Sequence, residues 1–164
     1  MNKELEKYLL DSFPTFFRDM YGDPMKTCMA WGCAHGDGWF TILRGLCENI
    51  QDECQKDPET MNFQFEQIKE KFGTLTIYHS GGNSAITKLI AAAERQSESI
   101  CEQCGSQEQV TTEPLQGGFW ILTLCAKCRE ENTCQTKPKP GTIEMRCTPD
   151  TTGPENTGVK PDES

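Results

Sequence analysis

The sequence lacks long hydrophobic runs and clusters of basic residues. No stretch of about eighteen apolar residues occurs, and the first residues are charged, so we expect no membrane-spanning helix and no secretory signal. The 16 lysines and arginines face 25 acidic residues, which gives a net charge of −9. An average field of this sign repels nucleic acid, and this disfavours a DNA-binding or RNA-binding function.

Motifs for nucleophilic or phosphate chemistry are also missing. The sequence has no nucleophile-elbow motif, no phosphate-binding Gly-Lys-Ser loop and no paired-histidine motif of a catalytic metal site. His35 and His79 are its two histidines, so the pool of general bases is small. We therefore expect a binding function rather than an enzymatic one.

Cysteine, in contrast, is abundant, with ten residues in a chain of 164. Four of these form two Cys-x-x-Cys pairs, Cys101 with Cys104 and Cys125 with Cys128. This spacing lets four thiolates converge on one tetrahedral zinc ion, and Gly105 tolerates the turn that follows the first pair. Because four thiolates leave no open coordination position, we expect one structural Zn²⁺. The alternative is a pair of redox dithiols or disulfides.

Composition divides the chain into a folded part and a polar tail. From Lys137 onward the sequence contains five prolines, and its large apolar residues are few. We therefore predict one α+β domain over residues 1–132, with a zinc ribbon at residues 99–130, and a disordered tail at residues 133–164. Abundant cysteine in a chain without a secretory signal predicts a reducing compartment, with the cytoplasm as the default.

Helical periodicity is clearest from residue 39 to about residue 56. Apolar residues recur at intervals of three and four on one side, and polar residues fill the other: Trp39, Ile42, Leu43, Leu46, Ile50 and Cys54 form the apolar stripe. Asp37 is the expected N-cap of this helix. Asn2 is predicted to cap an earlier helix, and Asn83 or the next residue a later one.

Alternating residues predict an antiparallel strand pair over residues 63–69 and 75–79, joined by a tight turn at Lys71-Phe72-Gly73. We also predict a strand over residues 28–33 and a short helix that starts at Pro14. The expected architecture is α+β, a small antiparallel sheet with helices on one face and a C-terminal zinc ribbon with four cysteine ligands.

The first candidate ligand site is the segment His35-Gly-Asp37-Gly-Trp39. An acid flanked by glycines at a helix start would place free N–H groups, a carboxylate and an indole face together, which suits a ligand with a ring. The alternative is that Asp37 only caps and Trp39 only packs. Cys28, Cys33 and His35 also offer three ligands for a second metal ion, although no fourth ligand is evident nearby.

The second candidate ligand site lies around the predicted hairpin turn. Lys69 and Lys71 flank this turn on one strand, and Tyr78 and His79 lie on the other. Two ammonium groups beside a glycine turn are suited to a phosphate or carboxylate. The alternative is a solvated hairpin tip without a ligand.

Several of these motifs occur together in a known group of proteins. They are Gly36-Asp-Gly-Trp39, Ile68-Lys-Glu-Lys-Phe-Gly-Thr-Leu75, Cys101-Glu-Gln-Cys-Gly105 and Leu124-Cys125. The combination resembles a family of small uncharacterised zinc-ribbon proteins from phages, prophages and some bacteria, over roughly residues 28 to 130. The resemblance implies a phage-type setting in the cytoplasm of a bacterial host cell and a bound zinc ion. It supplies no catalytic residues.

We therefore hypothesise a non-catalytic phage-type binding protein that acts in counter-defence by sequestering a small anionic, nucleotide-like signalling molecule. Asp37 and Trp39 would hold the base and sugar, and Lys69, Lys71 or His79 would hold the phosphate.

Two alternatives belong to other functional classes. In the first alternative, the chain is an inhibitor or adaptor that docks a host protein on an aromatic patch around Trp31 or Trp120. In the second, it is a metal-dependent nuclease or nucleotide hydrolase. The hydrolase would use Asp37, His35 and His79 with a second metal ion. The sequence predicts no oligomeric state.

Overall fold

A computed structural model describes residues 1–115 and 119–135. The helices and strands are α1 (Lys3–Ser12), α2 (Phe40–Lys56), β1 (Gln64–Lys71), β2 (Thr74–Ser80), α3 (Ser84–Ser97), β3 (Val110–Pro114), β4 (Ile121–Cys125) and α4 (Ala126–Gln135). Short 3₁₀ helices occupy Cys28–Trp31, Asp37–Trp39 and Pro58–Asn62. The fold is α+β, as predicted. Most of the predicted tail, from residue 136 onward, lies outside the described residues.

The four strands form two separate two-stranded sheets. In the first, β1 pairs with β2 in antiparallel register, with Ile68 opposite Ile77. A two-residue turn of Phe72 and Gly73 joins them, and both residues have positive φ angles, 54° and 81°. Positive φ at both positions is the geometry whose twist matches a tight hairpin. The predicted strand pair and turn are thus confirmed.

Side chains of α3 occupy the outer edge of β2. The backbone N–H of Leu75 donates to Ser97 Oγ at 2.9 Å, and that of Ile77 donates to Glu94 Oε1 at 2.9 Å. These groups satisfy the N–H donors that a further strand would use. The β3–β4 hairpin forms a sheet of its own, separate from β1–β2.

The outer edge of β1 is covered by two earlier segments. Ala34 donates to the carbonyl of Ile68 and accepts from the N–H of Glu70, both at 2.9 Å. The carbonyl of Phe16 accepts from the N–H of Phe65 at 2.9 Å. Because this carbonyl bonds to β1, it does not continue a helix. Residues 14–21 form successive turns, and the predicted helix from Pro14 is wrong.

The predicted strand over residues 28–33 is also wrong. Cys28–Trp31 is a 3₁₀ helix capped by the Thr27 side chain, which accepts from the N–H of Met29. Gly32 ends it at φ 72°, and a Cβ there would lie 2.4 Å from a Glu6 carboxylate oxygen. The buried Glu6 carboxylate also accepts from the N–H of Cys33 at 2.8 Å. The Glu6 carboxylate, which is distant in sequence, therefore fixes the backbone at Gly32 and Cys33, and among the described residues no neighbouring strand does so.

The ends of the helices follow local sequence signals in two of three cases. Asn2 caps α1, because its side chain accepts from two backbone N–H groups, and Asn83 caps α3 in the same way. The predicted cap of α2 is wrong: Asp37 lies in the preceding 3₁₀ turn, and its carboxylate accepts from the backbone N–H and side chain of Asn2, each at 2.7 Å.

Buried side chains form two clusters of unequal size. The larger cluster packs α1, α2 and α3 against one face of β1–β2, and its largest fully buried side chains are Trp39, Phe17, Phe63, Phe65 and Leu9. The smaller cluster contains Leu124 and three cysteines of the Cys-x-x-Cys pairs. Within the part of the chain that the structure describes, no helix is long and apolar enough to cross a membrane.

We expect Asn83→Ala to lower the free energy of unfolding by about 1–2 kcal/mol, because it removes the α3 cap. The variant also loses the side-chain hydrogen bond from Asn83 to Asp57, 2.9 Å long. Asn49→Ala is the control, since Asn49 is exposed on α2 and donates only to Gly45 of its own helix. Urea denaturation should show a change within about 0.5 kcal/mol for the control. Equal losses in both variants would contradict the capping role.

Candidate metal centre and candidate ligand residues

The side chains of Cys101, Cys104, Cys125 and Cys128 converge in the structure. Their Sγ atoms all lie within 4.8 Å of one another, and those of Cys104 and Cys125 are 3.7 Å apart. Four thiolates around one ion, at a metal–sulfur distance of about 2.3 Å, give a tetrahedron with edges of about 3.8 Å. All four cysteines are free rather than joined in disulfides. The group could therefore hold one metal ion, as the spacing predicts.

Two different local structures position the two pairs. The first pair lies on a tight turn between α3 and β3, where Cys101 donates to Ser106 and Gly105 donates back to Cys101, both at 2.8 Å. In the second pair, Cys125 ends β4 and Cys128 lies in the first turn of α4. The N-terminal end of a helix favours negative charge, and therefore favours thiolates at this position.

Electrostatics within the cysteine group favour the thiolate of Cys101 over those of Cys104 and Cys128. Burial alone raises the pKa of Cys101, but hydrogen bonds from the backbone of Cys125, Cys104 and Gln103 lower it to about 7. Burial and the neighbouring thiols raise the pKa of Cys128. The raised pKa values of Cys104 and Cys128 mean that these two thiols resist ionisation until a cation among them offsets the repulsion between thiolates.

The glycines before α2 form a contact surface for the first cysteine pair. Gly38 donates its N–H to the carbonyl of Glu102 at 2.7 Å, and Gly36 donates to the Glu102 carboxylate at 2.9 Å. A Cβ at Gly38 would lie 2.1 Å from the carbonyl oxygen of Cys101, and one at Gly36 would lie 2.4 Å from that of Glu102. The backbones approach too closely for any side chain, so this motif packs the first cysteine pair against the core.

Trp39 is fully buried, and its indole N–H donates to the carbonyl of Ile100 at 2.8 Å. Its ring offers no open face to a ligand, so the predicted role of Trp39 in ligand binding does not fit this placement. Asp37 is exposed beside it, and hydrogen bonds from Asn2 hold the pKa of its carboxyl below the usual value despite partial burial. The first candidate ligand site is therefore mainly a packing motif.

The β1–β2 turn makes a second contact, with the β3–β4 hairpin. This hairpin joins the two cysteine pairs and is called the cysteine hairpin below. The Thr123 hydroxyl donates to the carbonyl of Gly73, and a Cβ at Gly73 would lie 2.6 Å from the Thr112 side chain and 3.1 Å from that of Ile121. Sequence reasoning missed this role, and also that of Glu102. The glycines in the two motifs were the signal that could have revealed these contacts, because glycine often occurs where two backbones approach closely.

The structure brings together three of the four residues of the second candidate site. Lys69, Lys71 and Tyr78 project from the face of β1–β2 opposite the core, and Lys69 Nζ lies 5.4 Å from the centre of the Tyr78 ring. Within residues 1–115 and 119–135, neither lysine forms a salt bridge. His79 is on the opposite face, with its ring 5.4 Å from that of Phe63.

The predicted second metal site is not formed by the described residues. Cys28 is exposed and Cys33 is buried, where burial and the Glu6 charge raise the pKa of the Cys33 thiol to about 12. Among described side chains, Cys101, Cys104, Cys125 and Cys128 are the one group of three or more potential ligands close enough to share an ion.

Comparisons with protein-family models, with curated proteins and with solved structures found no match to this chain. The family resemblance drawn from the motifs therefore stays a prediction.

We expect Gly38→Ala to lower the free energy of unfolding by about 3 kcal/mol, because the new Cβ would overlap the backbone of Cys101. The same variant should lose metal to a competing chelator faster than the unmodified chain. Gly45→Ala is the matched control: Gly45 lies within α2, and its Cβ would meet nothing within 4 Å. Its stability should rise by about 0.4–1 kcal/mol. An unaffected Gly38→Ala variant would contradict the packing role of this glycine.

Proposed function

We propose that the four cysteines hold a single structural Zn²⁺. The ligands are soft thiolates at distances that fit a tetrahedron, and together they would complete the coordination of zinc. The cluster around them is small, with Leu124 as its one buried residue besides cysteine and three half-buried apolar neighbours. A module with so little apolar burial needs a cross-link to fold stably.

Native mass spectrometry of the full chain should show one zinc ion, and Cys104→Ser should lose it under the same conditions. Cys28→Ser is the matched control, because Cys104 and Cys28 are both exposed and only Cys104 belongs to the group. Removal of a thiolate leaves three ligands and weakens zinc binding strongly. Equal zinc content in the two variants would refute this ligand assignment.

We propose further that the chain is a non-catalytic binding protein that captures a small anionic ligand on the outer face of β1–β2. The observation that carries this proposal is the placement of Lys69, Lys71 and Tyr78 together on that face, with both ammonium groups free of salt bridges to the described residues.

The chemistry of this face fits a phosphate-bearing ligand with a ring. Thr76 lies opposite Lys69, and Thr74 lies opposite Lys71, so hydroxyl groups adjoin both cations. The Tyr78 side chain is 43% exposed and offers a ring for stacking. Lysine binds phosphate as a point charge, without the fixed geometry that arginine demands. The face would therefore accept nucleotide-like anions.

The biological setting that we propose follows from the family resemblance. A small protein of this kind would act in an infected bacterial cell, where stoichiometric capture of a nucleotide-like signal would interrupt a defence response. Such capture requires affinity and a rigid surface but no turnover. The hairpin meets the second requirement, because α3 closes one of its edges and the segments at Ala34 and Phe16 close the other.

The combined variant Lys69→Glu and Lys71→Glu should bind ATP at least about ten-fold more weakly in equilibrium dialysis, because each change turns an attraction for phosphate into a repulsion. Lys88→Glu, at an exposed position of α3 without a salt bridge to the described residues, is the control for a charge reversal outside the β1–β2 face. Adenosine tests the role of the phosphates. The proposal fails if the control loses as much affinity as the combined variant, or if the unmodified chain binds adenosine as well as ATP.

Docking of a host protein is the second candidate function, and exposed aromatic side chains favour it. Trp120 is 68% exposed and Phe72 is 72% exposed. They adjoin Ile121 and Gly73, whose close approach brings the two hairpins together. Trp31, the other predicted patch, is 73% exposed. Apolar docking tolerates salt whereas capture of an anion does not, so salt dependence separates the two functions.

The hydrolase alternative draws no support from the positions of its residues. Both carboxylate oxygens of Asp37 accept hydrogen bonds from Asn2, and His79 lies on the core side of its strand. We therefore do not assign a reaction to these side chains.

A further inference from the structure

A cavity of about 370 Å³ lies between the larger core and the cysteine hairpin. Its walls come from the loop before α2, the turn after Cys101, strand β4 and helix α4. Leu122 and Leu124 provide an apolar wall, and the polar side chains used below belong to His35, Asp37, Glu102 and Asn132. None of these residues belongs to the proposed anion-binding face.

Hydrogen-bond acceptors on the cavity wall lack donors. One carboxylate oxygen of Glu102 accepts from Gly36, and within the described residues the other has no hydrogen bond. The Asn132 amide nitrogen donates to Gln103 and to the carbonyl of Cys128, both at 2.7 Å, which leaves its oxygen as an acceptor. A molecule that enters the cavity must therefore donate hydrogen bonds.

His35 also lines the cavity, and its side chain carries an acceptor that is buried from solvent. Its side chain is 7% exposed, and its Nδ1 lies 2.7 Å from the carbonyl oxygen of Gly36. A carbonyl can only accept, so Nδ1 carries the proton and Nε2 presents a lone pair. Burial lowers the pKa of His35 to about 4, which keeps the ring neutral at pH 7. In the part of the chain that the structure describes, Nε2 has no hydrogen-bond partner.

The charge of the wall is negative. Among the described residues, no lysine or arginine side chain lines the cavity, whereas Asp37 and Glu102 both do. Within the described part of the chain, the one positive group there is the amino group of Met1, which donates to the carbonyls of Cys33 and His35. Among the described residues, the carboxylates and the histidine of this wall do not lie close enough together to share a metal ion. A partly apolar molecule that carries a positive charge and hydrogen-bond donors fits this wall better than a metal ion does.

We propose that this cavity binds a small organic cation, namely a primary ammonium or guanidinium group on a short apolar chain. The cationic group pairs with the Glu102 carboxylate, and its N–H groups supply the donor missing at the Asn132 side-chain oxygen. The apolar chain lies against Leu122 and Leu124. This ligand has the opposite charge from the anion proposed for the β1–β2 face. The two proposals are therefore independent, and the failure of one does not affect the other.

The test is a nuclear magnetic resonance titration of the metal-loaded full chain with n-butylammonium, and with 1-butanol as the uncharged analogue. We expect n-butylammonium to shift the amide signals of Gly36, Glu102 and Leu124 most. Glu102→Gln keeps an oxygen for Gly36 and removes the charge, so it should weaken binding at least about five-fold. Glu108→Gln is the matched control on the same hairpin, outside the cavity lining.

Three results would overturn the proposal: equal binding of 1-butanol, shifts spread over the acidic surface, or equal weakening by Glu108→Gln. Leu122→Phe provides an independent variant, because the larger ring intrudes on the apolar wall without changing a charge. It should weaken the localised shifts and retain the metal. Unchanged binding to this variant would place the ammonium elsewhere, even if Glu102→Gln fails to fold.

Discussion

The arrangement of this protein depends on one backbone hydrogen bond, from the N–H of Gly38 to the carbonyl of Glu102, 2.7 Å long. A side chain at Gly36 or Gly38 would separate the two backbones, because a Cβ at either position would overlap carbonyl oxygens. The bond fixes the first cysteine pair against the start of α2. A second contact, from Thr123 to Gly73, fixes the paired strands that carry the other cysteines. Two points of attachment define both the position and the tilt of the cysteine hairpin.

The proposed binding regions lie beside these two attachments and differ in charge. The face with Lys69 and Lys71 is on the hairpin whose turn forms the second attachment. The acceptor-rich cavity adjoins the first, where Glu102 both accepts from Gly36 and lines the wall. A metal ion that holds the cysteine hairpin in shape would therefore support the geometry of the cavity directly. It would affect the lysine face only through the turn at Gly73.

Local signals in the sequence were sufficient for much of the fold. Cysteine spacing predicted the converging thiols, asparagine side chains marked two helix starts, and alternation marked the β1–β2 pair. The failures arose where a distant group determines local structure. Glu6 holds the backbone of residues 32 and 33 where a strand was predicted, and β1 holds the carbonyl of Phe16 where a helix was predicted. Trp39 belongs both to the predicted apolar stripe and to the first candidate ligand site, and its full burial agrees with the stripe.

The covering of both edges of the β1–β2 hairpin has a consequence for solubility. An exposed strand edge is a template for pairing with other chains, and it leads to aggregation or domain swapping. Here the N–H groups of Leu75 and Ile77 are occupied by α3 side chains, and Ala34 and Phe16 bond to β1. An extended peptide cannot join this sheet by strand addition without displacing those groups. Recognition at this hairpin is thereby confined to side chains on its outer face, where a change of residue alters specificity and leaves the fold intact.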